Sequence, residues 1–404
     1  MEIITLLSQI FEYTLFLYFG VATGYIFVFG IAGLFYNEPK YSLLGKVKKI
    51  AVLIPGYKED AVILDVAKSA LEQNYPFSAF DVVVIADSFK EQTLLDLGKL
   101  PLKLVEVNFE KSTKSKALNK AMEILGDDYD IAIVLDADNI MKPNFLSKID
   151  TAFANGVLVV QGHRMAKNLN TPFAILDAIS EEVNNHIFRK GHRKLGLSAS
   201  LIGSAMAFDY CLFKAVMSSV TAVGGFDKEL EFKLIKDGIE LHYLNEAQVY
   251  DEKIQYSEDF KNQRRRWLSA QIVYLKQYFV AGIAAFLIRG NVNFLDKLYQ
   301  MMTPPRLLLI GAVTIICMAY RVTELLIPDL DLSLSSSHWF LLCVVTYLAV
   351  ICSIPKSFYN AKTVSAALSL PKAFVVMFLM LFKLKDANKK FIHTQHGTAN
   401  NKAL

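Results

Sequence analysis

Apolar positions fall into three regimes along this chain. Over residues 13–35 they run almost unbroken and nearly uncharged, long enough for a helix to cross a hydrocarbon core of about 30 Å. From residue 50 to residue 270 they come in short bursts separated by polar segments with helical spacing. Long apolar runs then return at 307–320 and 339–354, with shorter pieces at 280–288 and 373–382. The two long runs read as spans, and the short pieces, which sit beside lysines or arginines, as helices lying in the interface. The start "MEIITLL" lacks the basic region of a signal peptide, so the first run reads as a retained anchor.

Charge orients these spans. "YSLLGKVKK" follows the first run and, by the positive-inside bias, places the next domain in the cytoplasm and the N-terminus outside. "RVTELLIPDLDLSLSSSH", between the later runs, suits an external loop, and "KLKDANKK" a cytoplasmic tail. The expected organisation is an anchor over 1–40 and a cytoplasmic domain over 41–270. Interfacial helices and C-terminal spans occupy 271–385, and a tail 386–404. An integral protein of the plasma or inner membrane is expected.

The middle domain opens with "KIAVLIPGYKED", an apolar strand over 50–54 stopped by Pro55 and Gly56, then a helix over 61–73. "FDVVVIADSF" gives a second strand ending in Asp87, and a helix over 117–125 leads to the strand "DIAIVLDADN". Continuously apolar strands alternating with helices predict an α/β fold with a mainly parallel sheet covered on both faces. Ligands in such sheets bind beyond the carboxyl ends of the strands. "PGYKED" has no GxGxxG pattern, so a dinucleotide-binding turn is not expected there.

The 404 residues are 53% hydrophobic yet 20% charged, an average over two solvents. A net charge of +4 gives no argument for a nucleic-acid partner. Cys211, Cys317, Cys343 and Cys352 fall singly, without metal or redox spacing, and read as small apolar side chains in a reducing compartment.

Asp136 and Asp138 end the third strand with one residue between them. Two carboxylates at an open edge repel unless a cation joins them, and Mg2+ or Mn2+ takes a few such oxygens together with phosphate oxygens. Alone, a D-x-D tripeptide is equally a pair of solvated turn aspartates; its context decides.

"IPGYKED", "VVVIADSF", "KSTKSKALNKAM", "VLDADN", "GGFD" and "QRRRW" follow one another in that order between residues 50 and 270. In order and spacing they resemble the family 2 inverting glycosyltransferases, more narrowly the membrane-embedded synthase branch of cellulose, chitin, hyaluronan and chitooligosaccharide synthases. The resemblance implies a GT-A catalytic domain using a UDP-sugar with Mg2+ or Mn2+. It implies that Pro55, Tyr57 and Glu59 border the nucleotide, with Lys58 where asparagine is usual, and that Asp87 contacts the base. Lys114 matches the lysine near the diphosphate, with Lys116 beside it. Asp138 matches the direct metal ligand, and Asp136 a second ligand nearer the sugar.

An inverting transfer needs a carboxylate to take the acceptor's proton. Most relatives carry it in a "TED" motif, absent here. Asp227, 11 residues before Gly238 and 36 before Gln263, stands at the expected offsets, with Glu229 as runner-up. Gln263, Arg266 and Trp267 match QxxRW, the arginine for the diphosphate and the tryptophan for an acceptor sugar. Glu258 and Asp259 lie too close to the arginines to be the base. Gly203 and Ser204, in "LIGSAMAF", match a small-residue loop near the acceptor, and "KKFIHTQHG", with His393 and His396, loosely resembles a segment that folds over the nucleotide. The expected product is a growing, β-linked polysaccharide or oligosaccharide, made processively and coupled to export through the bilayer. Single-sugar transfer to a lipid carrier is the alternative, and partner subunits or a homo-oligomer stay open.

Overall fold

The computed structural model describes residues 2–42, 45–328, 330 and 332–383; the histidines of the tail lie outside these. The strands are β1 (Ile50–Tyr57), β2 (Phe80–Asp87), β3 (Lys103–Val107), β4 (Ile131–Val134), β5 (Ile140–Met141), β6 (Val159–Ala166), β7 (Met206–Asp209) and β8 (His242–Asp251). They form one sheet in the order β3-β2-β1-β4-β7-β6-β8-β5. β1 runs parallel to β2 and β4, β7 runs antiparallel between β4 and β6, and β8 runs parallel to β6. This is the α/β, mainly parallel sheet expected from the apolar runs.

Side chains alternate between two buried layers, as a pleated strand requires. Ile50, Val52 and Ile54 pack with helices Ile63–Leu71 and Phe145–Ala154 on one face. Ala51 and Leu53 pack with helices Lys114–Leu125, Tyr210–Met217 and Phe226–Lys236 on the other. Register does the rest. Ile50 lies opposite both Phe80 and Ile131, so the ends of β1, β2 and β4 emerge together at one edge, carrying Tyr57, Asp87 and Asp136–Asp138.

Helices Leu6–Leu34, Ser257–Arg289 and Arg306–Leu326 are long and apolar enough to cross a membrane. Helix Ser336–Cys352 is shorter, and Ala361–Ala367 with Leu370–Met380 form a pair bent by 41°. The expected interfacial piece at 280–288 is the end of helix Ser257–Arg289, so the boundary set at 270 falls inside a continuous helix that begins ahead of "QRRRW". The reason is local: this stretch contains no proline, and its first left-handed residue is Gly290, with φ +63. The N-terminal helix Glu2–Leu34 packs Phe19, Ala22, Ile26 and Phe29 into a third apolar cluster with Leu309, Val313, Trp339 and Ala349.

Candidate active site

Three strand ends build a cleft of ≈310 Å3. Pro55, Tyr57 and Glu59 line it from β1, Asp87 from β2, and Asp136 and Asp138 from β4. Lys58 and Ser88 leave their strands with φ of 56 and 60, uncommon for side-chain-bearing residues, and the Lys58 amide donates to the Asp87 carbonyl at 3.1 Å. These turns hold the two loops together over the cleft.

Carboxylate oxygens of Asp136, Asp138 and Asp251 lie within 4.8 Å of one another. Their orientation is fixed. Asn139 donates to Asp251 at 3.0 Å and to Asp138 at 3.3 Å, and the Glu252 amide donates to Asp138 at 2.9 Å. Three hard oxygen donors at an open strand edge fit a divalent cation of the Mg2+ or Mn2+ kind. Cations of the chain already face this edge: Lys114 Nζ lies 2.5 Å from Asp136, and Arg164 lies 3.5 Å from Asp136 and 3.3 Å from Asp251.

Behind it lies a buried ionic network. Arg164 holds Glu181 with two hydrogen bonds of 2.9 and 3.1 Å, and Lys253 bonds both Glu181 and Asp251. Burial alone would raise the Glu181 carboxyl, yet Arg164 and Lys253 hold it well below the usual range. Burial likewise opposes the Lys253 charge, and Asp251 and Glu181 more than offset it, keeping the ammonium above its ordinary pKa.

A second cavity of ≈440 Å3 adjoins the first, and Lys114, Asn184, Ile202, Arg266 and Trp267 line both. Asp227 lines only the second, one residue into helix Phe226–Lys236. Burial raises the Asp227 carboxyl above its ordinary pKa, Lys228 and Lys114 oppose that rise, and Glu231 adds to it. A Cβ added at Gly203, which sits at φ +87, would lie 3.8 Å from the Asp227 carboxyl carbon, and the Gly203 carbonyl accepts from Lys114 at 2.7 Å.

The other expected residues separate clearly. Gln263 lines the first cavity, and Trp267 is 43% exposed at the junction of the two. Arg264 pairs with Asp177 at 2.7 Å with its guanidinium 4.3 Å over the Trp267 ring and lines the first cavity alone, whereas Arg266 lines both. Lys116 stands outside both linings; its ammonium donates to the Lys111 carbonyl while its amide donates to the Thr113 cap. Ser204 is fully buried and accepts from Arg164 rather than facing the second cavity. Glu229 is also buried, accepting from the Thr221 amide at 3.2 Å, and Asp259 lines the first cavity. Asp251, Arg164, Glu181 and Lys253 were not expected. A signal for Asp251 existed, since "QVYD" ends a strand in an acid as "VIAD" does.

Among solved structures, the chain is similar to the mannosyltransferase PcManGT from Pyrobaculum calidifontis in complex with GDP-Man and Mn2+, at 14% identity and a TM-score of 0.49, covering 83% of this chain and 96% of that one. It is similar to S. aureus TarS at 19% identity and a TM-score of 0.38, over 54% of this chain and 38% of that one. Glucosyl-3-phosphoglycerate synthase from Mycobacterium tuberculosis, in complex with Mn2+, UDP and phosphoglyceric acid, is similar at 17% identity and a TM-score of 0.37, over 55% and 77% of the two chains. No curated protein matches. The family model described as glycosyltransferase like family 2 matches residues 48–270, more than half of the sequence and every strand of the sheet, and the chain belongs to that family.

Proposed function

We propose that this family 2 glycosyltransferase is a membrane-bound, inverting enzyme that moves a sugar from a UDP-sugar to an acceptor hydroxyl at the cytoplasmic membrane surface. The reading is carried by the adjoining cavities, one lined by the three carboxylates, the other by Asp227, with Lys114 and Trp267 lining both. The uracil sits against Tyr57, Glu59 and Asp87. The diphosphate lies toward Lys114, Arg266 and the amino end of helix Lys114–Leu125, whose dipole favours anions. Asp136, Asp138 and Asp251 would hold a divalent cation, Mg2+ or Mn2+, which when bound would supply positive charge against the departing UDP. Asp227 takes the acceptor proton as the new bond forms at the anomeric carbon, opposite the breaking bond to UDP. One displacement inverts the centre.

Two acceptors compete: a growing β-linked polysaccharide exported through the bilayer, and a membrane-associated molecule that receives one sugar. The packing of the apolar helices favours the second. Their interior is built from Phe19, Ile26, Val313 and Trp339, with the Thr23 and Thr346 hydroxyls satisfying each other at 2.9 Å. A polar polymer would need a polar lining at that depth.

The test supplies purified full-length protein in nanodiscs with Mg2+ or Mn2+, labelled UDP-sugars and membrane lipid extract, and measures product length. We expect one preferred donor and one sugar added per acceptor, with activity lost on chelation and reduced at least about a hundredfold in Asp138→Asn. A polymer ladder would restore the export-coupled reading. Turnover surviving exhaustive chelation would remove the cation.

A further inference from the structure

Arg189 lines the second cavity while only 2% exposed. It sits in a π-helical segment, His186–Gly191, a geometry that recurs at functional sites. Its Nε donates to the Ser200 carbonyl at 3.0 Å, its Nη1 donates to Asn185, and among the described residues no carboxylate lies within ion-pair distance of it. The nearby acids are committed elsewhere: Glu181 to Arg164 and Lys253, and Glu231 to Lys228 and Lys297. A desolvated guanidinium without an anion is unfavourable, and burial indeed lowers its pKa. The same cavity is also lined by Lys114, Lys228 and Arg266, against the single carboxylate of Asp227. Its lining also includes Gln271 and Met301; Gln271 donates to the Met301 and Thr303 carbonyls, just ahead of Pro304–Pro305 and the apolar helix Arg306–Leu326.

We infer that the acceptor carries a phosphoryl group, and that Arg189 binds this group in the second cavity, on the side away from the attacked anomeric carbon. The inference rests on reading that cavity as the acceptor site. A phosphoryl oxygen gives Arg189 the charge-assisted partner that the chain withholds, and fixes the acceptor hydroxyl relative to Asp227. The phosphoryl group can belong to a bilayer lipid or to a water-soluble phosphate ester.

The experiment titrates full-length protein in phosphatidylcholine nanodiscs with butyl phosphate, with butyl glucoside and with polyprenyl phosphate incorporated in the disc, by calorimetry. Butyl phosphate is expected to bind on the order of ten- to a hundredfold more weakly to Arg189→Gln than to wild type, with butyl glucoside unaffected and Arg189→Lys retaining most of the affinity. Polyprenyl phosphate binding more tightly than butyl phosphate identifies a lipid source, and equal binding a soluble one. Phosphate probes that bind both proteins equally, or neither, overturn the inference. Should Arg189→Gln not fold, a Trp339→Phe chain, in which Trp267 is the one tryptophan, decides: its fluorescence responds to butyl phosphate and not to butanol, and no difference overturns the inference. Loss of all sugar transfer with phosphate binding intact would sink the catalytic reading instead.

Discussion

At Asp227 the demands of stability and chemistry oppose each other. Burial, reinforced by Glu231, raises its carboxyl above the ordinary aspartate value of about 3.9, although Lys228 and Lys114 pull it down. As the proposed base, Asp227 works ionised, so activity should fall as pH drops through that raised value, with the acidic limb of kcat/KM above the usual aspartate range. The same shift has a sign for folding. A carboxyl whose folded pKa exceeds its unfolded one contributes stability below the unfolded pKa and loses that contribution as pH rises through the folded one. Asp227→Asn should therefore remove the acidic limb with a fall of about 10²–10⁴ in kcat and at the same time raise the Tm at neutral pH. A variant with lower activity and lower Tm alike, assayed across pH 4–8, would make Asp227 a helix-start residue and no more.

Among the elements, the strands that announced their cargo were those stopping abruptly. β1, β2 and β4 are apolar to their last residues and then turn polar, so Asp87 and Asp136–Asp138 were legible as strand ends from pattern, whereas Tyr57 was singled out only by the family resemblance. β8 hides Asp251 behind the mixed run "HYLNEAQVYD", because an irregularity against β6 between Gly162 and His163 breaks its alternation. Arg164, Glu181 and Lys253 come from three separate elements, and no local spacing reveals that they meet. Glycines were equally silent. A Cβ on Gly191 would lie 2.1 Å from the Phe29 carbonyl oxygen, where the π-helical segment crosses the N-terminal helix, whereas one on Gly20 would meet nothing within 4 Å. Gly191→Ala should destabilise by about 1–3 kcal/mol through overpacking, and Gly20→Ala should be neutral or slightly stabilising through helix propensity. Detergent-phase thermal melts of the pair check this, and equal Tm values would deny the close crossing.

For the whole molecule, the N-terminal helix packs against the π-helical segment that lines the second cavity. Tyr25 donates to Asp296 at 2.6 Å and lies 2.8 Å from His192, while the Phe29 ring stacks on His192 with centroids 3.8 Å apart. His186 reaches the Gly30 carbonyl at 2.8 Å, and Tyr36, beyond the helix, donates to the β8 carbonyl of Tyr243 at 2.7 Å. These contacts support the segment that carries Arg189, one wall of the second cavity. Removing residues 1–40 would expose Ile187 and His192, both fully buried, and leave Asp296 without its tyrosine partner. A chain of 41–404 should thus lose both Tm and transfer activity in detergent, with acceptor KM rising more than donor KM in whatever activity remains, because no residue lining the cavity proposed for the donor comes from 1–40. An anchor that merely holds the domain at the membrane predicts the reverse: a truncated protein with the full-length Tm and unchanged kinetics toward a short, detergent-soluble acceptor.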